Sequence, residues 1–366
     1  MSWSEAAMTD PTSTATAGAS DTDLVVAERV FTVMGSTAHV LVVVERDGEA
    51  TAPDAPAAAE ALLDGAQQRL VHLEQRWSRF LATSEISALN RAEGVTLAVS
   101  ADTLQLVARC IHAWQATAGR FDPSVHDAMV RLGYDRSAEQ LERHRGGETA
   151  GSPADGPPSH VGVGVDVGVG VGVGVGAPGC ADIDIDPVRR TVRFGPGVAL
   201  DPGGIGKGLA GDLLVAELLA GGAVGAMVNL GGDTVVAGRP PRDTGWQVGV
   251  AHPHGPDGSG QALCAVVGLS VGAVATSTRL ERRWEHNGRT NHHLVDPATG
   301  RPLGGDVDAI TVMASAGWWA EALAKACFVA GPGEAAGLLR AAGATGLLVR
   351  SDGTVEPFDG LEAYLR

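Results

Sequence analysis

A chain of 366 residues, 44% of them hydrophobic, is long enough for one large or two ordinary domains built on a real core. Its formal net charge of −16 excludes binding of nucleic acid or of an anionic membrane through bulk electrostatics. Four cysteines (Cys110, Cys180, Cys264 and Cys327) stand far apart without a C-x-x-C, which excludes a zinc ribbon and argues against a disulfide framework.

Residues 1–27 are acidic and rich in Ser, Thr and Ala, and are read as a disordered tail. The segment has no positive n-region, apolar h-region or lipobox cysteine, so the expected location is cytoplasmic. No run approaches the roughly 18 apolar residues of a membrane span. One domain is expected over residues 28–366. It opens with "RVFTVMGSTAHVLVVVE", a strand, a turn at Gly35 and a second strand. A helix follows, with Leu62, Leu63, Leu70, Leu73 and Trp77 at helical spacing. "SEISALNRA" is a short helical piece capped by Ser84, and a longer helix runs from an N-cap at Ser100 to a stop at Gly119, with Cys110 in its core pattern.

From about residue 137 to 180 the pattern breaks into a Val-Gly repeat flanked by Pro, Ser and charged residues. Glycine at every second position leaves one face without side chains, so this is read as a low-complexity insertion. Beyond it come two strands in "DIDIDPVRRTVRFG", a glycine-rich loop and helix, and the strand pair "AVGAMVNLGGDTVVAG". Further strands, a helix over "WWAEALAKACFVAG" that holds Cys327, a helix over 333–342 and a strand "GLLVRS" complete the chain. Helices and strands interleave without a βαβ rhythm, so the fold class is mixed α+β with antiparallel sheets and flanking helices.

The loop "DPGGIGKGLAGDLL" (201–214) contains Gly206, Gly208 and Gly211 in the G-x-G-x-x-G spacing of a dinucleotide site. A P-loop is excluded, because the Ser or Thr that should follow Lys207 is Gly208. A Rossmann turn fits poorly, because "ALDPGG" stands where a buried parallel strand should end at the first glycine. Two readings stay open on the residues alone: a phosphate site, or a helix start whose glycines permit close packing.

Several segments together resemble the ApbE family, the FAD:protein FMN transferases. They are "VMGS", "SRFLATSEISALNR", "GRFDPSV", "LGYD", "LDPGGIGKGLAGD", "VNLGGD", "VATS" and "HHLVDPATGRPL", in that order. The resemblance implies a two-lobed ApbE-like fold, not a Rossmann fold, and an enzyme that moves FMN from FAD to a Ser or Thr hydroxyl of an acceptor flavoprotein, releasing AMP. The alternatives are an FAD-binding protein with a degenerate metal site and a pyrophosphatase that splits FAD into FMN and AMP. Carried over by position, FAD contacts fall on Met34, Phe80, Arg120, Phe121, Asp122, Asp201, Lys207 and Leu294, with His293 as acid or base and Lys207 beside it. Without the resemblance, Phe80 and Phe121 are core aromatics, Met34 fills a gap, and Asp122-Pro123 and Asp296 to Thr299 form turns.

The chain departs from the family pattern in one helix. Where the family reads A-D-A-L-A-T-A, and binds Mg²⁺ through the Asp, the Thr and a backbone carbonyl (that of Gly204 here), this chain reads "AEALAKA", with Glu321 and Lys325. Three arrangements follow: an ammonium that takes over part of the metal's role, a metal shifted onto Glu321 with the lysine turned outward, or a solvated i,i+4 surface pair. Leu209 and Thr278 also replace a family Tyr and Gly.

Overall fold

The computed structural model describes residues 24–46, 54–136, 179–255 and 262–366. An eight-stranded sheet runs through the molecule in chain order. Its strands are β1 (Leu24–Val33), β2 (Ser36–Glu45), β3 (Gly225–Leu230), β4 (Asp233–Gly238), β5 (Gly272–Thr278), β6 (Val307–Ala314), β7 (Thr345–Arg350) and β8 (Val355–Pro357). Every ladder among the described residues is antiparallel. The α+β expectation holds, and a parallel doubly wound sheet is absent among them.

The pleat sorts the sheet's residues. In β2, Ala38, Val40, Val42 and Val44 join the large core on one face, while Val43 joins the core on the other. The first face is covered by three helices, α1 (Ala55–Trp77), α5 (Gly206–Ala220) and α6 (Gly317–Ala330), and α3 (Ala101–Ala116) packs against α1 and α6 in the same core. Between α1 and α3 lies α2 (Glu85–Asn90); α4 (His126–Arg131) follows α3, and α7 (Pro332–Ala341) follows α6. Helix α1 buries Ala59, Leu63, Ala66, Leu70, Leu73 and Trp77, a single helical stripe. The hairpin Trp246–Ala251/Leu263–Leu269 covers the other face with Trp246, Val250, Val267 and Leu269. Ser84 and Ser100 cap α2 and α3 by accepting the N–H groups of Ser87 and Thr103, as their positions predict.

Two hairpin tips lie side by side. Met34 (φ 54°) and Gly35 (φ 61°) turn β1 into β2, and Gly231 (φ 60°) and Gly232 (φ 96°) turn β3 into β4. Both are two-residue turns with left-handed central residues, the geometry that matches strand twist. The Gly231 N–H donates to the Thr37 carbonyl at 2.9 Å, which ties the tips together.

Two boundaries differ from expectation. Strand β1 begins at Leu24, inside the segment assigned to the tail, because Leu24 to Ala27 find ladder partners from Glu45 to Val42 across the hairpin. Cys180 is 1% exposed in the short helical turn Cys180–Asp182, so the core resumes inside the segment assigned to the insertion. Residues 1–23 of the expected tail and 137–178 of the Val-Gly segment lie outside the described residues. No described helix is long and apolar enough to cross a membrane.

Candidate functional site

The glycine-rich loop and "GRFDPSV" fold into matching Asp-Pro turns. Asp201 accepts the Gly203 N–H at 2.9 Å and starts the turn Pro202–Gly204. Asp122 accepts the Ser124 N–H at 2.8 Å and starts the turn Pro123–Val125. The Asp201 N–H donates to the Pro123 carbonyl at 2.7 Å, so the two turns are joined back to back. Each aspartate thereby spends one oxygen on its own turn. The second oxygen of Asp201 receives Arg79 Nε at 3.0 Å.

Two of the three fingerprint glycines serve packing. A methyl on Gly208 would lie 2.2 Å from the Gly317 carbonyl oxygen, and one on Gly211 would lie 2.8 Å from Val235 Cγ2. Glycine at these positions lets α5 touch α6 backbone to backbone and settle onto the valine side chains of the sheet. A methyl on Gly206 would find its nearest atom at 3.9 Å. Of the two readings left open by the loop, its glycine spacing belongs to close helix packing.

Just below the loop lies a cluster of four charges. Lys207 Nζ pairs with Asp233 and donates to the Leu230 carbonyl at 3.3 Å, under the paired hairpin tips. Burial raises the Asp233 carboxyl above its ordinary range, and the Lys207 charge works against that shift. Glu321 is 2% exposed; one carboxylate oxygen accepts the Gly208 N–H at 2.9 Å and the other faces Lys325 Nζ at 3.3 Å. Burial works to raise the Glu321 carboxyl as well, but the ammonium groups of Lys325 and Lys207 and the Gly208 N–H outweigh it and hold it below the usual range. The surface-pair arrangement of Glu321 and Lys325 is therefore corrected: the carboxylate is interior and the lysine stem crosses the loop.

Above the loop opens a cleft that brings together Phe80, Arg120, Phe121, Asp122, Asp201, Gly204, His293, Leu294 and Lys325. Met34, Lys207 and Glu321 do not line it; Met34 forms the hairpin turn, and the other two belong to the charge cluster. Arg120 reaches out of the cleft to Glu334 in α7 at 2.5 Å. Among the lining residues that carried no expectation are Arg79, Tyr134, Arg282 and Val295. Arg79 is held over the rings of Phe80 (4.2 Å) and Tyr134 (4.8 Å), and Tyr134 stacks on Trp284 at 4.7 Å. Arg79 and Tyr134 sit inside the quoted segments "SRFL" and "LGYD", but only the fold shows that they meet. Arg282 has φ 46° and no ion pair among the described residues. Asp233 was visible as the end of "VNLGGD", yet its partner lies 26 residues earlier.

The two histidines have separate roles. His292 donates from Nε2 to the Leu303 carbonyl at 3.0 Å and accepts the Leu294 N–H on Nδ1 at 3.3 Å, so both its nitrogens are spent on structure. His293 lines the cleft, and its Nδ1 is enclosed without a hydrogen-bond partner. Burial, helped by the charges of Arg282, Lys325, His292 and Lys207, holds its pKa well below the ordinary histidine range. The imidazole is neutral at pH 7 and ready to accept a proton. Asp296 accepts the Ala298 N–H and the Thr299 hydroxyl, each at 2.9 Å, and so forms the turn that follows the histidines.

The residues at the implied magnesium position do not fit that ion. A divalent cation needs several oxygen ligands. Here one position carries an ammonium, and the single carboxylate is taken up by a backbone N–H and that ammonium. Among the described residues no group of three His, Cys, Asp or Glu side chains comes together as a metal site.

Comparison with known proteins places this geometry. The pattern of the ApbE family matches residues 34–348. A Treponema pallidum protein named FAD:protein FMN transferase is 38% identical over 152 residues, 39% of this chain and 41% of that protein, so the match spans less than half of that relative. A Haemophilus influenzae protein of the same name is 25% identical over 305 residues, 82% of this chain and 80% of that one. The ApbE protein of Thermotoga maritima shares the fold with a TM-score of 0.70 at 23% identity, over 93% of this chain and 99% of that one.

Proposed function

The chain belongs to the ApbE family, and we propose that it transfers FMN from FAD to a Ser or Thr hydroxyl of an acceptor protein. The observation that carries this reading is His293: a neutral imidazole whose Nδ1 lacks a partner, opening on a cleft flanked by cations. An enclosed, unpaired nitrogen is costly to keep, by about 1–3 kcal/mol, unless a ligand completes it.

In the reaction the acceptor's Oγ forms a bond to the FMN phosphorus, and the phosphorus–oxygen bond to the AMP phosphate breaks. The hydroxyl proton passes to His293 and from there to solvent, and AMP leaves with the bonding electron pair. Developing charge on the phosphoryl oxygens is met by cations fixed before the reaction begins. Lys207, held against Asp233 and the Leu230 carbonyl, keeps the floor of the site rigid. Arg79, locked between Asp201 and two aromatic rings, fixes the wall.

The test is incubation of the purified protein with FAD and a flavoprotein domain carrying a D-[GA]-x-[ST]-[GA]-[AT] segment, followed by mass spectrometry of the acceptor. A mass gain of one FMN on the Ser or Thr is expected. Tight FAD binding without mass gain would favour a flavin-binding protein, and AMP release without acceptor would favour hydrolysis.

A further inference from the structure

We infer that the Lys325 ammonium fills the cation position of this site, so that the diphosphate of FAD is bound and cleaved without a divalent metal. The inference rests on the proposed FMN transfer and concerns how its charge is neutralised.

Three independent observations carry it. The first is steric. A methyl built on Gly204 would meet Lys325 Cδ at 3.0 Å and Cε at 3.2 Å, so the lysine stem lies directly across the Asp-Pro turn and its tip reaches the cleft. The lysine is inside the site, and the space beside Gly204 is filled by its methylenes.

The second is the donor set. Glu321 is the carboxylate nearest that tip, and its two oxygens face the Gly208 N–H and Lys325 itself. The 3.3 Å contact is long for a charged pair, whose usual range is about 2.7–2.9 Å. An ammonium has three donors, and only one is directed at Glu321. The remaining donors are available to phosphate oxygens.

The third is charge balance. Lys207 is paired with Asp233 and Lys325 with Glu321, so each carboxylate of the cluster already has an ammonium beside it. A divalent ion added there would sit beside two fixed ammonium groups, and both oxygens of the Glu321 carboxylate are already engaged. A diphosphate, by contrast, meets Lys325 with free donors and Arg282, which lines the same cleft and has no ion pair among the described residues. A fixed ammonium supplies one unit charge at a set position and lacks the ligand geometry of Mg²⁺.

The experiment measures metal and FAD binding by the whole chain directly. Mn²⁺ uptake is followed by electron paramagnetic resonance with and without FAD, and FAD affinity by flavin fluorescence in excess EDTA or in Mg²⁺. The expected result is no Mn²⁺ uptake beyond that of FAD alone, and FAD affinity and FMN transfer in EDTA within about twofold of those in Mg²⁺. The paired substitution Glu321→Asp with Lys325→Thr should then create a metal requirement: at least a tenfold loss of FAD affinity in EDTA, recovered in Mg²⁺, with uptake of one Mn²⁺. Stoichiometric Mn²⁺ binding by the unaltered FAD complex, or a tenfold loss of its FAD affinity in EDTA, overturns the inference. FAD bound equally well in EDTA and Mg²⁺ but never transferred to any acceptor would sink the proposed function and the cleavage half of the inference, and leave metal-free binding of the diphosphate standing.

Discussion

Adjacent histidines show how much one residue's chemistry depends on what its neighbours have already claimed. His292 spends both nitrogens on the chain around it, and His293 lines the cleft with an enclosed Nδ1 that has no hydrogen-bond partner among the described residues. Replacing His293 with Gln should lower FMN transfer by about 10²–10⁴-fold while FAD binding stays near that of the unaltered protein, measured by fluorescence titration beside the transfer assay. Because burial and the neighbouring cations hold the imidazole well below its ordinary 6.5, activity should stay flat as pH falls through that value and decline only at lower pH. Asp212 titrates the opposite way. It caps α6 by accepting the N–H groups of Gly317 and Trp318, and burial pushes its carboxyl up to about 6 from an ordinary 3.8, against the pull of those N–H groups. Between these values the folded chain holds a proton that the unfolded chain has released, so stability falls as pH rises through the window. Asp212→Asn should remove that slope, a change on the order of 2 kcal/mol between pH 4 and 6, read as the difference between two urea-midpoint profiles.

At the scale of elements, the informative contact is α5 against α6. The two helices meet where Gly208 and Gly317 leave no room for a methyl, and Glu321 of α6 then reaches the Gly208 N–H. Gly208→Ala should cost about 2–3 kcal/mol, because the clash is with backbone that cannot rotate away. Gly206→Ala, with nothing closer than 3.9 Å, should be near neutral in thermal unfolding and leave FAD affinity unchanged. A loss of FAD affinity in Gly206→Ala comparable to that in Gly208→Ala would return the three glycines to a phosphate-cradle role.

Among the described residues the largest unit is one eight-stranded antiparallel sheet buried on both sides, by helices on one face and a hairpin on the other. The cleft opens on the side where two Asp-Pro turns, the histidine turn and α6 converge. Trp246 anchors the hairpin at 3% exposure, with its indole N–H donating to the Gly238 carbonyl at 3.1 Å. Trp246→Ala should lower stability by about 3–5 kcal/mol in chemical denaturation. It should leave His293 and Lys325 in place, because their cleft draws no residue from the hairpin. Unchanged FAD affinity below the new melting temperature checks this separation.

The sequence by itself determined a good deal. Helical stripes such as Leu63, Leu70 and Trp77, the β-branched run in "HVLVVVE", and caps at Ser84 and Ser100 are local patterns, and local patterns fix local structure. The quoted segments also named nine residues of the cleft, because each sits in a short motif of its own. Only the tertiary structure decided the rest. The strand boundary at Leu24 depended on a ladder partner, and the pairs Lys207–Asp233 and Arg79–Asp201 join residues distant along the chain. That Gly208 of the G-x-G-x-x-G spacing serves helix contact depends on Gly317, which lies against it from a distant part of the chain. Above all, "AEALAKA" allowed a surface pair, a shifted metal or an internal cation. Burial of Glu321 and the path of the Lys325 stem over Gly204 exclude the surface pair, because charge in a protein takes its meaning from the solvent it has lost and the partners it has gained.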